Sequence, residues 1–122
     1  MIIGVTGKNG SGKGEVARFL ERAGYRYYSL SDAIREDLEQ TGLEVTRENL
    51  TIRGNELREK FGAGILAERI LKMIPEHYNA VVDSIRNPEE VKCLKRRKDF
   101  FLIDVRANEK TRFKRLKDRA RE

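Results

Sequence analysis

The sequence predicts an α/β fold in three layers, a parallel sheet flanked on both faces by helices. Three observations lead there. The runs Ile2–Val5 and Ala80–Val82 are apolar without alternation, as strands buried on both faces are. Segments with apolar residues at helical spacing separate the strand-like runs, and strands alternating with helices form parallel sheets. Glycine-rich or charged residues follow the strands, where open parallel sheets hold their ligands.

Each element has a local cause. Ile2–Val5 leads through Thr6 into a glycine-rich turn. From about Lys13 to Ala23, Val16, Phe19, Leu20 and Ala23 fall at helical spacing, and Gly24 supplies the stop. Tyr25–Leu30 is aromatic-rich and strand-like. Helical patterns follow at Asp32–Thr41 (Ile34, Leu38), Arg47–Phe61 (Leu50, Leu57, Phe61) and Ala63–Ile74 (Leu66, Ile70, Met73, Ile74). Ala80–Asp83 is a buried strand that ends in an acid. Asn87-Pro88-Glu89-Glu90 opens a helix with a capping side chain, a first-turn proline and acids at the positive end of the dipole. Phe100–Val105 is a further strand, and Asn108-Glu109 begins a basic helix with Phe113, Leu116 and Ala120 on one face. With no repeat, low-complexity stretch or linker, residues 1–122 read as a single domain in which 31–75 form a helical excursion.

Composition narrows the function. The chain has 122 residues, of which 39% are hydrophobic, enough for one modest core. Its net charge of +6 favours a polyanionic partner, such as a nucleotide, although a solvated basic surface gives the same number. Nucleic acid is the least favoured partner, because no basic platform interleaved with aromatics is present. Cys93 is the single cysteine, so an internal disulfide framework is excluded, and its apolar neighbours mark it as a packing residue. No apolar run approaches membrane-spanning length, and a soluble, cytoplasmic protein is expected. His77 stands alone, and neither a zinc pattern nor a Ser/His/Asp or Cys/His set is present.

Gly7-Lys8-Asn9-Gly10-Ser11-Gly12-Lys13-Gly14 is the strongest motif. Seven of its eight positions fit G-x-x-x-x-G-K-[ST], between a strand and a helix as that phosphate loop (P-loop) requires. Glycines let the loop curl its amide hydrogens around phosphate oxygens, and the following helix adds its positive end. Lys13 is placed to reach the β- and γ-phosphates of ATP. The eighth position is Gly14, which has no hydroxyl for Mg²⁺, and Glu15 follows it. An acid so near the phosphates either points away or meets Mg²⁺ through water.

Other candidates follow later strands. Asp32 and Arg35 share one helix face, as an ordinary i,i+3 ion pair or as an acceptor-binding pair in which Arg35 offers its planar fork to a phosphate. Asp83 and Arg86 follow the third strand, where Asp83 either caps the next turn or serves the site. Arg112, Arg115 and Arg119 form a cationic stripe on the last helix, with Arg121 beyond: an exposed basic face or a closing lid. Lys95-Arg96-Arg97-Lys98 precedes a strand and reads as solvated surface.

The G-K-G ending of the loop resembles adenylate kinases and related nucleoside-monophosphate kinases, in which threonine usually stands where this chain has Glu15. Ser31-Asp32-Ala33-Ile34-Arg35 resembles their acceptor segment, and Asp83-Ser84-Ile85-Arg86 their D-G-x-x-R-like stretch. Within that group, the run from Ser29 to Arg35, Thr46-Arg47-Glu48-Asn49-Leu50, Gly54-Asn55-Glu56-Leu57-Arg58 and Val82-Asp83-Ser84-Ile85-Arg86 look closest to dephospho-CoA-kinase-related proteins and to the kinase-like region attached to the deoxycytidylate deaminase family. The zinc signature of that deaminase is absent.

The resemblance implies an adenylate-kinase-like P-loop NTPase fold and ATP-dependent phosphoryl transfer, with Mg²⁺, to a small acceptor. A nucleoside monophosphate is the first expectation for that acceptor. Dephospho-CoA, or a non-catalytic ATP-binding module attached to a deaminase or another enzyme of nucleotide metabolism, is the alternative. It further implies phosphate contacts along 7–15, an acceptor set of Asp32, Arg35 and Arg86, and catalytic roles for Lys13, Asp83, Arg86 and Arg119. Asp83 would order Mg²⁺ through water, and 108–122 would begin a lid. Proteins of this type continue into a fifth strand and a final helix, and the chain ends before either.

Overall fold

The structure, a computed structural model, describes residues 1–8, 10–97, 99–106, 114 and 116. Among these residues the strands are β1 (Ile2–Thr6), β2 (Arg26–Ser29), β3 (Ala80–Asp83) and β4 (Phe100–Asp104). The helices are α1 (Lys13–Arg22), α2 (Leu30–Gln40), α3 (Arg47–Phe61), α4 (Ile65–Met73) and α5 (Pro88–Leu94). All ladders are parallel, and the strand order is β2-β3-β1-β4. The chain leaves β1 for β2, returns through β3 beside β1, and then crosses to β4 on its other side. Such a reversal opens a crevice beyond the carboxyl ends of the strands.

Alternate residues of the inner strands feed two cores, which is why their sequences show no polar alternation. Ile3, Val5 and Val81 pack against Ala17 and Leu20 of α1. On the opposite face Ile2, Ala80 and Val82 pack with Leu30, Ile34 and Leu38 of α2, Leu57 of α3, Leu66 and Ile70 of α4, and Leu94 of α5. Cys93 lies in this second core, as its neighbours in sequence suggested, and burial pushes its thiol above the usual range.

Several expectations need correction. Phe19 is 68% exposed, because α1 lies on the sheet through Ala17 and Leu20, which turns Phe19 outward. Phe61 and Met73 are also exposed, and Phe61 instead meets the Arg69 guanidinium at 5.4 Å and the Lys60 ammonium at 5.3 Å. In β4 only Phe100 reaches the second core, while Phe101, Leu102 and Ile103 are exposed, since β4 is an outer strand of the described sheet. Helix α2 starts at Leu30, ahead of the expected Asp32, because Ser29 forms a capping box with Asp32. Asn9 and the expected lid residues Arg112, Arg115, Arg119 and Arg121 lie outside the described residues, whereas Lys114 and Leu116 are helical and exposed. No helix among the described residues is long and apolar enough to cross a membrane.

Candidate active site

The phosphate loop leaves β1 at Gly7 and enters α1 at Lys13. Gly10 and Gly12 have φ of 84° and 99°, the left-handed region that side chains disfavour. A β-carbon on Gly7 would stand 2.5 Å from the Val105 carbonyl oxygen and 2.8 Å from Ser11 Oγ, so only glycine fits. Ser11 is 4% exposed, and its Oγ has no hydrogen-bond partner among the described residues. A buried hydroxyl without a partner is costly in a resting structure and is relieved by a polar ligand. Beside it a cavity of about 560 Å³ is lined by Thr6, Gly7, Lys8, Ser11 and the 104–106 segment after β4. Glu15 sits in the first turn of α1, exposed to solvent, as does Gly14.

Asp83 ends β3 and is 9% exposed. One of its oxygens, Oδ1, lies 3.1 Å from Lys13 Nζ and accepts the Ser84 backbone N–H at 2.7 Å. The other, Oδ2, accepts the Tyr27 hydroxyl at 2.8 Å. Burial alone raises a carboxyl, but here the bonds from Tyr27, the Ser84 amide and Lys13 outweigh it, and Asp83 lies below its usual range. Burial first, and then the hydrogen bond to Asp83 and its charge, drive the Tyr27 phenol well above its ordinary value. Ser84 adopts a left-handed φ of 66° and accepts the Ser29 hydroxyl at 2.8 Å, which joins the ends of β2 and β3.

Beyond this turn lies a second cavity of about 780 Å³ between α2, α3 and the turn. Arg35, Arg47, Arg58 and Arg86 line it, with Leu50 and Leu66 on the apolar side, and no acid is among the lining residues. Arg35 and Arg86, from different strand ends, thus border one space. Asp32 does not line it: its oxygens accept the Ser29 amide at 3.0 Å and Arg35 Nη1 at 2.8 Å. It caps α2 and orients Arg35, a role that an S-x-x-D pattern could have signalled. Sequence reasoning also missed Tyr27, Arg47, Arg58 and Glu90 as site residues. In the sequence Glu90 shows only as a helix-start acid, yet it is 0% exposed and accepts the Arg86 and Asn87 backbone amides at 2.6 and 3.2 Å. His77 is exposed, and no cluster of His, Cys, Asp or Glu among the described residues could hold a metal by itself.

Comparison with known proteins bears on the family and the fold. The family described as AAA domain matches residues 3–122. A UPF0200 protein of Methanothermobacter thermautotrophicus is 36% identical over 125 residues, covering 100% of this chain and 63% of the relative. One from Pyrobaculum aerophilum is 39% identical over 124 residues, covering 98% of this chain and 67% of the relative. The chain therefore spans about two thirds of the length of these relatives. Among solved structures, TT1252 from Thermus thermophilus superposes with a TM-score of 0.58 at 24% identity, covering 100% of this chain and 73% of that one. An unliganded sugar kinase from Janibacter sp. gives 0.51 at 12% identity, covering 95% and 65%. These two likenesses bear on the fold alone, an α/β architecture with a parallel sheet.

Proposed function

Because the chain belongs to the AAA domain family and to the UPF0200 proteins, we propose that its P-loop fold carries an ATP-dependent kinase whose acceptor is a phosphate monoester, a nucleoside monophosphate first. The observation that carries this reading is the short turn from Asp83 to Arg86. Its first residue holds Lys13 of the phosphate loop, and its last lines the arginine cleft with Arg35.

The charges fit such an acceptor. Arg35 is paired with Asp32 and Arg58 with Glu90, whereas Arg47 and Arg86 have no acidic partner among the described residues. Two uncompensated guanidinium groups match a phosphate monoester, which carries about −1.5 to −2 at neutral pH. The apolar side of the cleft, with Leu50 and Leu66, suits a flat base. On the other side, the ATP phosphates would take the loop amides and the unpartnered Ser11 hydroxyl, and Lys13 would exchange Asp83 for phosphate oxygens. An acceptor phosphate oxygen then attacks the γ-phosphorus, the bond to the β–γ bridging oxygen breaks, and ADP leaves. Lys13 and Arg86 disperse charge, and alignment replaces a general base. The lid assignment of Arg119 belongs to the same reading. Mg²⁺ supplies charge neutralisation when bound. Gly14 offers it no hydroxyl, so Asp83 would hold it through water.

Two alternatives stand beside this reading. Dephospho-CoA is a second acceptor on the resemblance of the segments 29–35, 46–50, 54–58 and 82–86. An ATP-binding module without turnover, attached to a deaminase or another nucleotide enzyme, is favoured by Glu15, which stands where the kinases it resembles usually carry threonine. ADP release measured over nucleoside monophosphates and dephospho-CoA separates them, since a module binds ATP without acceptor-dependent ADP. Lys13→Ala should fold normally and lose most ATP affinity by calorimetry. Equal affinity in the two proteins would remove the assignment.

A further inference from the structure

Glu90 is a fully buried carboxylate on α5, where an acid is costly unless its oxygens are well used. An ordinary capping-box acid reaches back only to the amide of its cap residue. Glu90 does this for Asn87 at 3.2 Å, but its Oε1 also takes the Arg86 amide at 2.6 Å, and its Oε2 lies 3.4 Å from Arg58 Nη2. One carboxylate thus fixes the backbone of one cleft arginine and the side chain of another, from a helix 32 residues earlier. Arg58 is left incompletely bonded. Its side chain is 24% exposed, its contact with Glu90 is long, and its Nε is buried with no partner among the described residues. The ion pair balances its charge while Nε is left without a partner among the described residues, the condition of a guanidinium open to a further oxyanion such as phosphate.

We propose that Arg58 is a third anion-binding residue of the arginine cleft and that Glu90 is the positioning residue that sets Arg58 and Arg86 together for one phosphate group. This rests on the acceptor reading of the cleft given above. The test uses inorganic phosphate as the probe, titrated calorimetrically into Lys13→Ala protein so that the loop is silent. Adding Arg58→Ala should weaken phosphate about tenfold, the loss expected for a charge-assisted hydrogen bond. Arg58→Lys should recover part of it. Glu90→Gln keeps a carbonyl for the two amides but turns an NH₂ group toward Arg58, and should cost about threefold or more.

Melting curves of each variant separate binding from unfolding. Should Arg58→Ala fail to fold, the comparison of Arg58→Lys with Glu90→Gln decides. Absence of phosphate binding in the Lys13→Ala protein, or equal binding after Arg58→Ala, overturns the proposal. ATP titrated into the unaltered protein tells the two failures apart. If ATP does not bind, the kinase reading itself falls; if ATP binds but phosphate ignores Arg58, only the role of Arg58 and Glu90 falls.

Discussion

Gly7 and Gly14 bracket one phosphate loop and should respond oppositely to alanine. At Gly7 the new β-carbon would meet the Val105 carbonyl oxygen at 2.5 Å, about 0.8 Å closer than the shortest ordinary carbon–oxygen contacts. That oxygen belongs to the backbone leaving β4, which is pinned to β1 where the Val105 amide donates to the Thr6 carbonyl at 2.8 Å. Relief requires the loop to lift or this bond to stretch. Overpacking costs about 1–3 kcal/mol and a weakened hydrogen bond about 1 more, so Gly7→Ala should lose about 2–4 kcal/mol. At roughly 4 °C per kcal/mol for a domain of this size, Tm should fall by about 8–16 °C. ATP affinity should fall too, since the displaced atoms line the phosphate cavity.

At Gly14 the nearest atom to a new β-carbon is Arg18 Nη1 at 3.6 Å, an ordinary contact on an exposed helix turn. Alanine there should leave Tm unchanged or raise it by the few tenths of a kcal/mol that helix propensity offers at a helix end. Thermal unfolding followed by circular dichroism, with ATP calorimetry on the same samples, reads both. A Gly7→Ala protein within about 2 °C of the parent and with the same ATP affinity would refute the reasoning. So would equal losses at the two glycines, because neighbouring space would then not be what the loop demands.

Three further outcomes follow from the same geometry. Arg35→Ala should chiefly raise the acceptor KM and Arg86→Ala chiefly lower kcat; because both border one cleft, the double variant should lose less than the product of the single losses in acceptor assays. Tyr27→Phe removes one of the bonds on Asp83 and should cost about 1 kcal/mol in a denaturant melt, with the parent value indicating that this bond carries no net stability. Asp37 is held below the usual carboxylate range, first by its hydrogen bond from Arg53 and then by Arg69. A depressed folded pKa gives stability that is fully present above about pH 4 and is lost as pH falls below it. Asp37→Asn should therefore be less stable than the parent at pH 7 and show a shallower acid loss, whereas parallel stability–pH curves would discount the pair.

The sequence was most legible where one short segment carries its own instructions. The bounds Arg47–Phe61 and Ala80–Asp83 were readable because Thr46 and Gly62 bracket the first and the second is an unbroken apolar run with a terminal acid. The loop before Lys13 was readable as a strand-to-helix turn because one short segment carries its own glycines, two of them at left-handed φ. Periodicity placed an apolar stripe on α1, yet the stripe does not say how far the helix rolls, and Phe19 ended in solvent while Ala17 and Leu20 met the sheet. Asp32 has local and tertiary roles written in the same letters: its spacing to Arg35 suggested an ion pair or an acceptor-binding pair, while its spacing to Ser29 held a cap that went unread. The capping box prevailed because the Ser29 amide sits at the helix start, whereas the cleft lies beyond Arg35. Arg58 and Glu90 are the opposite case from Lys13. Their contact joins α3 to the start of α5 across 32 positions, and neither neighbourhood shows a pattern that requires the other. Only the packing of α2, α3 and α4 on one face of the sheet brings that guanidinium to the turn after β3. What the chain must do within eight residues can be seen in those residues, while the arginine-lined cleft depends on several helices meeting, and that information is spread over the whole core.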